Sequence, residues 1–158
     1  MNNVKMMGLM VVLAVALGCD KGTKPSDTPK AAPAGKESEE HPHGKGPNGG
    51  VVFDLGKYHA EFTVDHGKAE ATVLMLGADE KTPKAVAAKE LTLTTKETKT
   101  KEGKVVPPMT VKLIAKDEAD GKASKFVGTD PGIGNVADFS GTVIGQIDGR
   151  PSSGEFKE

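Results

Sequence analysis

The chain has 158 residues, and its 21 Lys and Arg nearly balance its 22 Asp and Glu, for a formal net charge of −1. That balance excludes a global basic field for nucleic acid. A single cysteine excludes a disulfide framework and any cysteine-based zinc cluster, and 20 Gly with 10 Pro argue against a helical bundle.

The N-terminus reads as an address. Lys5 supplies one positive charge, and residues 6–18 (MMGLMVVLAVALG) carry none. This stretch is too short to cross a hydrocarbon core of about 30 Å as a helix. It fits the apolar region of a secretory signal peptide. It ends in Ala16-Leu17-Gly18-Cys19, which resembles the lipobox of bacterial lipoproteins. The resemblance implies cleavage after Gly18 and acylation of Cys19 on its thiol and its new amine. Residues 1–18 are thus a lipoprotein signal peptide, and the only thiol of the chain becomes a thioether. Several acyl chains, at about 0.8 kcal/mol per buried CH2, hold a protein durably on a membrane.

Residues 19–47 read as a lipid-anchored, disordered linker. The stretch holds Pro25, Pro29, Pro33, Pro42 and Pro47, balances its Lys against Asp and Glu, and has no Val, Ile, Leu, Phe or Tyr with which to build a core. Its reach is roughly 30 Å.

Residues 48–158 have a different composition. Val and Ile together outnumber Leu 15 to 6, which favours strands over helices. A first strand is expected over 50–54. The clearest element is a hairpin over 57–76. Tyr58, Ala60, Phe62 and Val64 alternate with polar residues, then Asp65-His66-Gly67-Lys68 reads as a turn, then Ala69, Ala71, Val73 and Met75 alternate again. A two-residue His66-Gly67 loop would set Phe62 opposite Ala71, Ala60 opposite Val73 and Tyr58 opposite Met75, all on one face. Residues 82–90 have room for a short helix, against which Pro83 argues. Further strands are expected over 89–95, 110–116, 122–128 and 141–148. Residues 94–103 read as a polar, lysine-rich loop, and Val105-Val106-Pro107-Pro108 as a sheet edge or strand entrance. Asp120-Gly121-Lys122 reads as a hairpin with a bulge, and Asp130-Pro131-Gly132 as a turn. Many short strands between Gly and Pro turns make an all-β domain, an antiparallel β-sandwich or open barrel.

The residues able to carry chemistry are few. His41 and His43 flank Pro42 in the linker, and His59 and Glu61 share one face of the hairpin. At i and i+2 in an extended chain, each pair projects to the same side about 7 Å apart. Imidazole suits copper and zinc, so His59, Glu61, His41 and His43 are the candidate metal ligands. Met75 is expected in the core with Phe62 and Val73, and His66 at the turn because its backbone tolerates positive φ. Sequences such as G-x-S-x-G, H-E-x-x-H, a Walker loop or C-x-x-C do not occur. The basic loop has no interleaved aromatic residues for stacking on nucleic acid.

Gly46-Pro47-Asn48-Gly49-Gly50-Val51-Val52 followed by Tyr58-His59-Ala60-Glu61 resembles the G-P-x-G-G … Y-x-x-E stretch near the start of periplasmic adaptor subunits of heavy-metal efflux systems. The resemblance covers about a tenth of the chain. It implies a β-rich module connected with metal handling and points to His59 and Glu61. The long helical hairpin, the lipoyl-like or barrel half and the Met-rich motif of an adaptor have no recognisable counterpart here.

The chain therefore reads as a bacterial cell-envelope lipoprotein, anchored through Cys19 and facing the periplasm or the exterior. It carries a non-catalytic binding module for a transition metal, copper or zinc, in connection with efflux or homeostasis. The alternative is a metal-free structural lipoprotein that contacts another envelope protein. Neither reading involves nucleic acid or an enzymatic reaction.

Overall fold

The alternation of apolar and polar residues becomes strands throughout the computed structural model, which describes residues 43–158. The expected signal peptide, Cys19 and His41 lie outside these residues. The strands are β1 (Val51–Leu55), β2 (Tyr58–Asp65), β3 (Glu70–Leu76), β4 (Glu90–Thr95), β5 (Thr98–Lys99), β6 (Val105–Val106), β7 (Thr110–Ala115), β8 (Lys125–Thr129), β9 (Ser140–Ile147) and β10 (Arg150–Lys157). One short 3-10 helix, Pro131–Gly134, is capped by the Asp130 side chain.

Eight strands form one antiparallel sheet in the order β1-β2-β3-β8-β7-β4-β9-β10, while β5 and β6 pair separately. The sheet curls until its two outer strands come close together, so the all-β expectation takes the form of a nearly closed barrel. At the seam, β10 runs against β1 so closely that a Cβ on Gly154 would lie 1.9 Å from the Asp54 carbonyl oxygen. Tyr58 crosses the same seam to donate a hydrogen bond to Asp148 Oδ2 at 2.5 Å. Inside, Phe62, Met75, Leu91, Leu93, Leu113, Phe126 and Val143 are fully buried. Each such side chain contributes about 2 kcal/mol on leaving water. Phe156, the one buried residue of β10, packs on Phe62 with ring centroids 4.1 Å apart.

The structure corrects the hairpin register. Val64 faces Ala71, Phe62 faces Val73 and Ala60 faces Met75, two positions from the expected pairing. The Asp65 side chain accepts from Lys68 N, and Ala69, not His66 or Gly67, takes the positive φ of 52°. The loop therefore spans four residues instead of two. Because side chains alternate with period two, a shift of two keeps the same residues inside. His66 instead turns its ring to the Ile133 carbonyl, with Nδ1 at 2.8 Å.

Other differences are local. No helix forms over 82–90. Asp120 and Gly121 both take positive φ and make a two-residue turn closed by Ala119 and Lys122, without a bulge. The lysine-rich loop contains β5. Strand β10 has no alternating pattern and was not expected; it is set by Asp148-Gly149, a two-residue turn with both φ positive that returns the chain along β9.

Candidate metal centre

On the outer face of the barrel, β1 and β2 are joined by the two-residue Gly56-Lys57 turn, with Gly56 at φ 66°. This short turn fixes the pairing so that Asp54 stands opposite His59. His59 in turn faces Leu76 at the end of β3. The next residue, Gly77, presents its carbonyl oxygen 3.1 Å from His59 Nδ1. A carbonyl only accepts, so Nδ1 carries a hydrogen, and in the neutral ring Nε2 keeps a lone pair. That Nε2 lies 3.3 Å from Asp54 Oδ1 and 3.6 Å from Glu80 Oε1.

Glu80 comes from the turn after β3. Gly77 N donates to the Thr82 carbonyl at 2.9 Å and closes the turn at its base. The Asp79 carboxylate accepts from Thr82 Oγ1 at 2.5 Å and from the backbone N–H groups of Thr82 and Lys81. Those bonds, the hydroxyl's first, hold the Asp79 carboxyl well below the usual range, at about 2. Glu80 itself is held at φ 57°, a left-handed conformation that a non-glycine residue takes only when its surroundings enforce it.

His43 enters from the segment before β1, two residues ahead of the Lys45–Val51 bridge. Its Nδ1 lies 2.9 Å from Glu80 Oε1 and its Nε2 3.5 Å from Asp54 Oδ2. The two imidazole rings meet edge to face, centroids 5.4 Å apart. One donor atom from each of His43, His59 and Glu80 falls within 4.8 Å of the others, near enough to close around one ion. Side-chain exposure runs from 12% at His43 to 33% at Glu80, so the cluster is half-buried yet reachable from solvent.

The hydrogen count of this cluster is informative. Four ring nitrogens share two hydrogens when both imidazoles are neutral. One is committed to the Gly77 carbonyl. Three nitrogens then face carboxylate oxygens with one hydrogen among them. Lone pair against lone pair is repulsive, so the cluster needs added protons or a cation to hold this geometry. Two imidazoles with two carboxylates are a nitrogen and oxygen donor set that suits zinc or copper(II).

Of the sequence candidates, His43 and His59 come together. Glu61 does not join them. It is fully buried, and its carboxylate accepts from Asn48 N at 2.8 Å, Asn48 Nδ2 at 2.8 Å and Gly50 N at 2.9 Å. A Cβ on Gly46 would fall 2.4 Å from Glu61 Cδ. Glu61 therefore holds the 46–50 turn and is corrected from metal ligand to loop anchor. The side chains that sequence reasoning missed are Asp54 and Glu80. Asp54 was within reach, since it sits opposite His59 once the Gly56-Lys57 turn is counted as two residues. Glu80 has no local signal, being 37 residues from His43.

Among the described residues no helix is long and apolar enough to cross a membrane. Comparison of the chain with family models, curated proteins and solved structures finds no match.

Proposed function

We propose that the chain is a lipid-anchored envelope protein whose barrel binds one divalent transition-metal ion, zinc or copper, without catalysing a reaction. His43, His59 and Glu80 supply three donors, and Asp54 adds a fourth, the second carboxylate of the set. The observation that carries this reading is convergence: His43, His59 and Glu80 each bring a donor atom within 4.8 Å of the others, with the Asp54 carboxylate beside both rings. The carbonyl of Gly77 supports it by aiming His59 Nε2, as outer hydrogen-bond partners of metal-bound imidazoles do.

The envelope setting rests on the lipobox-like Ala16-Leu17-Gly18-Cys19. Mass spectrometry of the native protein tests it directly. The expected mature chain starts at an acylated Cys19; an intact Met1 with a free thiol would overturn the anchor.

The metal reading is tested by calorimetric titration of the full chain with zinc and with copper(II). One ion per chain is expected, with binding lost in a His43→Ala, His59→Ala double variant that still melts cooperatively. Equal, weak uptake by both proteins would overturn it.

A further inference from the structure

The groups around the candidate site are not equally well built in. Asp54 and His59 sit on paired strands, and Glu80 sits in a turn closed at its base. His43 sits on the segment that leads into β1. That segment is fastened by the Lys45–Val51 bridge, by Gly46 N to the Gly50 carbonyl at 3.1 Å, and by the Glu61 carboxylate on Asn48 and Gly50. All of these fall at Lys45 or beyond. Gly44 has no side chain, and a Cβ there would meet nothing within 4 Å. Upstream of Lys45, among the described residues, the side-chain bonds to the barrel are those of the His43 ring to Glu80 and Asp54.

We infer that the metal is a latch: an ion shared by His43, His59 and Glu80 pins His43 and Gly44, the start of the segment before β1, to the barrel, and its loss lets that start lift. The inference rests on the metal-binding reading above. A neutral His43 has one N–H for the two carboxylates that face it, so one of its nitrogens meets an oxygen lone pair unless a proton or an ion comes between them. An ion removes that repulsion and adds a bond between segment and barrel. Linkage makes the effect reciprocal. Whatever factor the docked segment adds to ion affinity, the ion adds to docking.

The consequence is a change of exposure at the site itself. The bonds from Lys45 onward do not involve the ion, and β10 lies against the other side of β1 at Asp54, so that strand edge stays covered. A lift at His43 uncovers the Asp54 and Glu80 carboxylates.

The test is hydrogen exchange, read by mass spectrometry on the full chain in detergent, with zinc chloride or with EDTA, beside a measured zinc stoichiometry. Zinc is expected to slow exchange in peptides covering 43–50 on the order of tenfold, while β4 and β9 are unchanged. His59→Ala keeps the hydrogen bonds of the segment and loses its ring contact with His43, so the slowing by zinc, measured against the variant's own zinc-free exchange, should vanish. One bound zinc with unchanged exchange at 43–50 overturns the latch and leaves the binding site standing. Slowing that persists in His59→Ala also overturns the latch. Absence of bound zinc in the parent overturns the metal reading, and the latch with it.

Discussion

Asp54 and His59 stand opposite each other across β1 and β2, with Asp54 Oδ1 3.3 Å from His59 Nε2, because the Gly56-Lys57 turn leaves no other register. The pair is a rigid half of the candidate metal centre, since both residues lie on strands whose inner neighbours Phe53, Leu55 and Ala60 are in the core. Replacing His59 by Ala is expected to lower zinc affinity about 100-fold or more, and Asp54→Asn about tenfold, because the second change keeps an oxygen donor but removes its charge. Neither change touches the core, so thermal melting without metal should stay close to that of the parent. Competition with a fluorescent zinc chelator reads both affinities.

The Glu61 carboxylate, by contrast, is expected to matter for stability. It is buried under a turn whose N–H groups at Asn48 and Gly50 have it as their acceptor. Glu61→Ala removes the shared acceptor of three donors and empties a buried site, at a cost of about 2 kcal/mol in urea unfolding. Gly46→Ala should destabilise in the same direction, since its new Cβ would fall on the carboxylate. A Glu61→Ala protein as stable as the parent would contradict the anchoring role.

The seam between β1 and β10 gives a paired comparison. A Cβ on Gly154 would collide with the Asp54 carbonyl, backbone against backbone, so Gly154→Ala is expected to cost about 2 kcal/mol or more. Gly149, at φ 73°, has nothing within 4 Å of its would-be Cβ. Gly149→Ala should therefore cost only the left-handed strain, about 1 kcal/mol. Urea denaturation of the two variants side by side gives the order.

Asp148 closes the same seam and sets a pH dependence. Its hydrogen bond from Tyr58, then that from the Ala87 N–H, and the nearby Lys57 hold its carboxyl down from 3.8 to about 2. A carboxyl lowered on folding stabilises fully above its unfolded value and loses that contribution as pH falls through the folded one. The melting temperature of Asp148→Asn should lie a few degrees below the parent at neutral pH, and the gap should close as pH approaches about 2. A gap independent of pH would show that charge plays no part.

Much of the barrel was legible because its strands alternate in the plainest way. Phe62, Ala71, Val73 and Met75 are buried on the face where their period of two places them. The register was misread because the Asp65 side chain, by bonding Lys68 N, moves the positive-φ position from the expected His66-Gly67 pair to Ala69. Strand β10 was hidden because Arg150-Pro151-Ser152-Ser153-Gly154 carries no pattern of its own and is made a strand by the turn before it and the strand beside it. At the site, His43 and His59 were visible as residue types. Their partners were not, since Glu80 arrives by a loop whose position depends on the whole sheet. The G-P-x-G-G and Y-x-x-E stretches do belong together physically: the glutamate of the second holds the glycine turn of the first. That relationship explains the spacing without requiring Glu61 to touch a metal.

The most direct test of the metal centre is the X-ray absorption spectrum of the full chain carrying one equivalent of zinc. The expected fine structure has imidazole scattering from two histidines, with nitrogen and oxygen donors at about 2.0–2.2 Å, and it loses the imidazole component in the His43→Ala, His59→Ala protein. A spectrum of hydrated zinc, or imidazole scattering unaltered by that double substitution, would contradict the assignment.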